Sequence, residues 1–100
     1  MNQLEDQFHR AMIDVYEQAK ELDYFANYFK QMLDRYGGVE TANRLLGESQ
    51  AQEGVFKLWE LDALDISVEA TVLREEFRSL FDKHELDEAR RRLDDLNFFL

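Results

Sequence analysis

Acidic residues are the side chains of this sequence that could most readily do chemistry, and they are concentrated in its middle. Residues 48–76 contain eight acidic and two basic side chains, an excess of six negative charges, and the whole chain of 100 residues has a net charge of −10. Paired carboxylates can act as general acid and base, but a solvated helical surface has the same composition. A negative surface attracts basic partners and disfavours nucleic acid. The sequence therefore predicts a protein partner with a basic surface, and the candidate partner-binding residues are Glu60, Asp62, Asp65 and Glu69.

Few other residues have catalytic or metal-binding potential. His9 and His84 have carboxylates at helical spacing, but a zinc site needs three or four ligands and the sequence has no HExxH motif. Ser49, Ser67 and Ser79 lie at positions typical of helix caps or turns, outside any GxSxG motif. We therefore expect no enzyme activity, no metal and no cofactor. A small metal-dependent enzyme that uses His9 or His84 is the competing hypothesis.

One basic cluster, Arg90-Arg91-Arg92, is the only candidate for nucleic-acid binding. Consecutive residues of a helix point about 100° apart, so these three side chains cannot form one flat patch. We expect the stem of Arg90 to lie along the apolar stripe of the last helix. Neighbouring carboxylates such as Glu88 and Asp94 neutralise much of the cluster, and the sequence thus predicts no direct contact with nucleic acid.

The composition predicts a folded helical protein. Hydrophobic residues make up 45% and aromatic residues 13% of the chain, proline and cysteine are absent, and there are four glycines. These values exclude disulfides and favour helices over hairpins. The polar first residues do not resemble a signal peptide, and no apolar run approaches the roughly 20 residues of a membrane-spanning helix. We expect a cytoplasmic protein with no membrane contact and a single domain over residues 1–100.

Apolar residues recur at steps of three and four, which predicts helices. One helix is expected over residues 3–22 and a second over residues 24–36, with Asp23 as the N-cap of the second. Gly37-Gly38 ends the second helix, and a short third helix follows before Gly47. The stripe of the second helix is expected to pack in the core rather than to stack on a ligand; it consists of Phe25, Tyr28, Phe29, Met32, Leu33 and Tyr36.

The fourth helix has two candidate starts. Ser49 with Gln52 matches a capping box, which would start the helix near Gln50. Without that box the helix begins around Gly54. In either case its Trp59 is predicted to pack in the core, between the aromatic face of the second helix and the last helix.

Two later helices have clearer starts. Ser67 and Asp65 compete as the N-cap of a fifth helix, and sequence alone does not separate them. Asp82 with Glu85 is an aspartate variant of the capping box and predicts that the last helix begins at about Lys83. The fold class is therefore all-α, a compact single-domain bundle of five or six short helices.

Three segments resemble one family of proteins: GGVETANRLL at residues 37–46, LWELDALDISVEATVL at residues 58–73 and LF…EL..ARRRL at residues 80–93. They are similar to GGVEAAKRLL, LWELGRLDLSVEALVL and LFTEEELEIARKRL of a family of small, uncharacterised bacterial proteins and appended modules. The resemblance spans nearly the whole chain and implies a bacterial or phage origin and a helical fold, with no activity to carry over. Where the family has Gly-Arg and then Leu, this chain has Asp62-Ala63 and Thr71.

The leading hypothesis is a non-enzymatic protein that binds another protein through its acidic middle segment. Asp62 is the acid of that segment that helix capping explains least. A second hypothesis in the same class is an inhibitor that mimics nucleic acid and occupies the basic groove of a nuclease or defence complex. The apolar end of the chain, Phe98, Phe99 and Leu100, is expected either to seal the bundle or to form a contact in a homo-oligomer.

Overall fold

The protein is an all-α bundle, as the sequence predicts. The structure, a computed structural model, describes residues 2–48 and 52–99, and within them there are six α-helices, two 3-10 helices and no strand. The α-helices are α1 (Gln3–Glu21), α2 (Asn27–Tyr36), α3 (Gly38–Gly47), α4 (Glu53–Glu60), α5 (Val68–Val72) and α6 (Lys83–Asp95), and the 3-10 helices span Leu64–Ile66 and Glu75–Leu80. The radius of gyration is 12.4 Å, close to the roughly 13 Å of a compact chain of this length. No helix in the described ranges is both long and apolar enough to cross a membrane.

The core is built around the apolar stripe of α1. Phe8 and Met12 are fully buried on that stripe. The ring of Phe8 makes edge-to-face contacts with Phe77 and Phe81, at centroid distances of 5.2 and 5.1 Å. Leu93 of α6 is fully buried in the same cluster. The long first helix is therefore the element against which the later, shorter helices pack.

One predicted N-cap is confirmed, and the choice between two others is resolved. Asp82 accepts the backbone amide of Glu85 at 2.8 Å, and the Glu85 carboxylate accepts the amide of Asp82 at 3.1 Å, which completes the capping box of α6. Ser67, rather than Asp65, caps α5, because its hydroxyl oxygen accepts the amide of Ala70 at 3.1 Å. Each cap satisfies amides that the first turn of a helix leaves without partners.

Three helices end in the same left-handed turn. Asp23 after α1, Asp62 after α4 and Asn97 after α6 have φ angles of 64°, 56° and 62°. In each turn the amide of this residue and the amide of the next one bond back to carbonyls of the last helical turn, which is the Schellman arrangement. The prediction of Asp23 as the N-cap of α2 is wrong for this reason: Asp23 ends α1, and α2 begins only at Asn27.

The glycine pair ends α2 as predicted, and its two members have different roles. Gly37 has a φ of 82°, a conformation that side chains disfavour. Gly38 is buried, and a Cβ atom at this position would lie 2.7 Å from the Cα atom of His9. Gly38 therefore allows the backbones of α3 and α1 to approach each other.

The predicted position of Trp59 is wrong. Val55 and Leu58 are the buried residues of α4, at 3% and 4% exposure. Adjacent residues of a helix point about 100° apart, so the burial of Leu58 turns Trp59 outward, where it is 52% exposed. α4 begins at Glu53, close to the later predicted start, whereas the earlier start at residues 49–50 lies outside the described residues.

The apolar stripe of α2 is only partly in the core. Met32 and Leu33 are buried. Phe25 lies before the helix begins and is 53% exposed, and Tyr28 in the first turn is 72% exposed. The prediction that the whole stripe packs in the core is therefore wrong at its amino-terminal end, because the turn that ends α1 delays the start of α2.

Candidate protein-binding surface and groove

Three of the four predicted partner-binding carboxylates lie in one exposed segment. Glu60 is the last residue of α4, Asp62 follows in the left-handed turn, and Asp65 lies in the first 3-10 helix. Glu69 is only 5% exposed, so its prediction as a surface residue is wrong. Its carboxylate points inward because the guanidinium of Arg92 lies 3.1 Å away.

Two aromatic side chains stand on the exposed face of the same helix. Phe56 is 46% and Trp59 is 52% exposed. Residues three or four apart are neighbours on a helix surface, so Phe56 lies beside both Trp59 and Glu60. We call Phe56, Trp59, Glu60, Asp62 and Asp65 the α4 surface. Sequence reasoning found its acids but missed its aromatic part, because it placed Trp59 in the core.

Arg92 of α6 organises the buried polar contacts. Its side chain has no exposed surface. The guanidinium donates to Oε2 of Glu88 at 2.6 Å and to Oε2 of Glu69 at 3.1 Å, and it also donates to the carbonyl oxygens of Leu45 and Glu48 at 3.1 and 3.0 Å. One side chain thus joins α6 to α5 and to the carboxyl end of α3.

The two carboxylates around Arg92 are affected in opposite directions. Burial raises the pKa of Glu69, and the Arg92 guanidinium offsets part of that rise. Glu88 is less buried, and hydrogen bonds from Arg91 and Arg92 lower its pKa from 4.5 to about 2. Glu88 therefore stays charged at neutral pH, whereas burial disfavours the charged form of Glu69.

A groove with a volume of about 510 Å³ lies on the inner side of α4. Its walls come from α1, the segment joining α1 to α2, the first turn of α2, the carboxyl end of α3, α4 and α5. Five aromatic rings line it, those of Tyr16, Tyr24, Phe25, Tyr28 and Phe29. Three carboxylates also line it, those of Glu48, Glu53 and Glu69. A groove of this size is in the range of small-molecule sites.

The residues considered for catalysis lie far apart in the chain. His9 is half-buried on α1 beside Gly38, and its Nδ1 atom has no hydrogen-bond partner among the residues that the structure describes. His84 is exposed in the first turn of α6. Within residues 2–48 and 52–99, no group of three or more histidine, aspartate or glutamate side chains is placed to hold a metal ion. Ser67 serves as a helix cap, and Ser49 lies outside the described residues.

The carboxyl-terminal aromatic residues are exposed rather than sealing the bundle. Phe98 is 36% and Phe99 is 49% exposed, and their rings meet edge to face at 5.3 Å. The guanidinium of Arg90 lies 5.8 Å from the centroid of Phe99. Arg90 is thus an exposed residue beside this pair, and Arg92 is the arginine that enters the interior. Leu100 lies outside the described residues.

Comparison with known proteins gives no relative from which a function could be transferred. No protein-family model, curated protein or solved structure matches this chain. The α4 surface and the groove are therefore the features of the molecule that bear on its function.

Proposed function

We propose that this chain is a non-enzymatic acidic protein that binds a basic protein partner through the α4 surface. The observation that carries the proposal is the 52% exposure of Trp59 next to Phe56. Tryptophan is strongly enriched among the residues that dominate binding energy at protein interfaces. In this proposal the aromatic pair provides most of the affinity. The resemblance to bacterial proteins adds a bacterial or phage source and a cytoplasmic site of action to the proposal.

The carboxylates around the aromatic pair support a basic partner. Glu60, Asp62 and Asp65 are all exposed. Charges at the rim of an interface mainly steer association and select partners, and their effect weakens as salt screens them. We therefore expect affinity to fall moderately with salt, because the apolar part of the contact does not depend on charge.

An inhibitor that mimics nucleic acid is the alternative. Contacts to a phosphate backbone are mainly between charges, so such a mimic needs spaced carboxylates and gives Phe56 and Trp59 no role. The exposed aromatic pair therefore favours an ordinary protein interface. Salt distinguishes the two proposals, since a mimic would lose its partner steeply as salt rises.

Three variants test the main proposal by capture of partners from a bacterial lysate, followed by titration of the captured protein. Phe56→Ala/Trp59→Ala removes the aromatic pair, and Glu60→Lys/Asp65→Lys reverses two rim charges. Glu17→Lys/Glu21→Lys is the matched control, because it changes the net charge by the same amount at exposed positions of α1. Trp59 is the only tryptophan in the chain, so a partner that covers it should shift its fluorescence to shorter wavelengths.

The proposal predicts that the aromatic variant loses the partner at every salt concentration, with a loss of about tenfold or more. The charge variant should weaken capture at low salt only, and the control should bind like the original chain. If the aromatic variant and the control bind equally well, the α4 surface is not the interface. Binding that is abolished by the charge variant and unaffected by the aromatic variant would favour the nucleic-acid mimic.

Self-association through the carboxyl-terminal aromatic pair is a second proposal, supported by the exposure of Phe98 and Phe99. Sedimentation velocity over a range of protein concentrations tests it. We expect a dimer that Phe98→Ala/Phe99→Ala converts to monomer. A monomer at all concentrations would end this proposal without affecting the α4 surface.

A further inference from the structure

We propose that the groove on the inner side of α4 binds a small amphipathic ligand that joins an apolar or aromatic group to an ammonium. This site is separate from the α4 surface, since the residues that define that surface do not line the groove. The inference therefore does not depend on the proposed interaction with a protein.

The walls of the groove are apolar and aromatic, which favours a ligand with an apolar part. Ala19 and Leu58 are buried in the wall, at 2% and 4% exposure, whereas Phe25 and Tyr28 at its rim are 53% and 72% exposed. Large aromatic side chains that the fold leaves exposed around a concave surface provide apolar area that a ligand can cover. The rings also present faces that attract a cation.

The charge of the groove favours a ligand with a positive group. Glu48 and Glu53 are exposed carboxylates that line the groove, and no lysine, arginine or histidine is found among its described lining residues. Lys30 of α2 lies over the ring of the lining residue Tyr16, 6.0 Å from its centroid, and is paired with Asp34 at 2.7 Å. An ammonium near Glu48 and Glu53 therefore meets two carboxylates, while Lys30 and Arg92, the cations that contact lining residues, are already paired with carboxylates of their own.

The third lining carboxylate, that of Glu69, contributes to the rigidity of the groove rather than to its charge. Glu69 lines it, but its carboxyl group is bound to Arg92 at 3.1 Å and is 5% exposed. Arg92 also holds the carbonyl oxygens of Leu45 and Glu48, which are lining residues too. The floor of the groove is thus fixed by hydrogen bonds of the buried Arg92 side chain, and a preformed site binds a ligand at lower entropic cost.

Three probes of equal size test the proposal: phenylbutylamine, phenylbutanol and phenylbutyrate, which carry a positive, a neutral and a negative end group at neutral pH. Binding is followed by the amide chemical shifts of the full chain in NMR titrations. Glu48→Gln/Glu53→Gln removes the charge of the groove. Gly54→Leu fills it, because a Cβ atom at Gly54 meets only the Tyr24 hydroxyl, at 3.8 Å. Gly47→Leu is the matched control, since a Cβ atom there meets nothing within 4 Å among the described residues and Gly47 is not one of the described lining residues.

We expect the amine to shift amides of the groove and to bind about tenfold more tightly than the carboxylate probe, with the alcohol in between. The double glutamine variant should bind all three probes about equally. Gly54→Leu should abolish binding and Gly47→Leu should retain it. The inference is overturned if the carboxylate binds as tightly as the amine, if Gly54→Leu leaves binding unchanged, or if no probe shifts the groove amides.

Discussion

The left-handed conformation of Asp62 is the residue-scale feature with the clearest energetic consequence. A residue with a side chain pays roughly 1–2 kcal/mol in the left-handed region, aspartate somewhat less, and its φ here is 56°. The carboxylate also lies at the negative end of α4, where a negative charge is unfavourable. We predict that Asp62→Gly increases the free energy of unfolding by about 0.5–1 kcal/mol, measured by urea denaturation.

The control for this prediction is Asp65→Gly. Asp65 is also an exposed acid, but it lies in a 3-10 helix, and it is not among the residues with a positive φ. Glycine at that position should lower the stability by about 0.5–1 kcal/mol, because it adds freedom to the unfolded chain without relieving strain. A loss of stability in both variants would contradict the account of Asp62. Because its backbone is strained, charge reversal of Asp62 is a poor probe of function, and Glu60 and Asp65 serve that purpose better.

Arg92 shows what the sequence leaves undetermined at the scale of one residue. It stands three residues after Ala89 and one before Leu93, so it falls on the apolar stripe of α6. Charged residues are rarely fully buried, and the sequence predicted that the stem of Arg90, rather than Arg92, lies along this stripe, whereas Arg90 is exposed. What separates them is the position of Glu69, 23 residues away in the chain. Spacing within α6 could suggest which arginine turns inward, but only the tertiary structure supplies its partner.

At the scale of elements, the contact between α1 and α3 depends on a missing side chain. A Cβ atom at Gly38 would lie 2.7 Å from Cα and 3.1 Å from N of His9. Both are backbone atoms, so no side-chain rotation can relieve the overlap and the helices would have to separate. We predict that Gly38→Ala lowers the free energy of unfolding by about 1–3 kcal/mol, the usual range for overpacking. Gly47→Ala in the last turn of the same helix should be neutral or stabilising, because its Cβ atom meets nothing within 4 Å in the part of the chain that the structure describes.

Local signals located most element boundaries, and they failed where a turn and a cap use the same residue types. The capping box of Asp82 and Glu85 was readable because both partners lie within one turn. Asp23 has the same chemistry as an N-cap, yet its backbone ends α1. Whether Asp23 ends α1 or starts α2 depends on which of the two helices the next apolar residue, Tyr24, packs with. Tyr24 packs with Ala19 and Leu58 in a second small cluster, so packing decides it.

At the scale of the whole molecule, the sequence contains more apolar residues than the core can bury. Periodicity identified the stripe of α1 and the inner face of α6 because each of these helices is long enough to show a full repeat. α4 has eight residues and carries apolar side chains on more than one face. Its neighbours determine that Val55 and Leu58 are inside and that Phe56 and Trp59 are outside. The groove behind α4 is likewise formed by several helices, so the residue pattern of any single helix does not predict it.

The buried ion cluster makes the stability of the whole bundle depend on pH through Glu88. Its pKa is about 2 in the folded chain and 4.5 in the absence of its partners. A lowered folded pKa means that the carboxylate stabilises the fold fully above about pH 4.5 and that this contribution is lost as the pH falls towards 2. Glu69 acts with the opposite sign, because its raised folded pKa makes its protonation favour the folded chain.

We predict that Glu88→Gln lowers the free energy of unfolding at pH 7 by about 1.5–3 kcal/mol, the range for hydrogen bonds to charged groups. The deficit relative to the original chain should shrink as the pH is lowered below about 4.5, because the original chain then loses the same charge. Urea denaturation of both chains at a series of pH values measures it, with Glu17→Gln on the exposed side of α1 as the control whose difference stays small throughout. A deficit that stays constant down to acidic pH would show that Glu88 acts through packing alone. Arg92, which is paired with Glu88, joins α6 to α5 and to the end of α3 at the floor of the groove. A constant deficit would therefore also mean that electrostatic attraction does not explain how these three helices are held together.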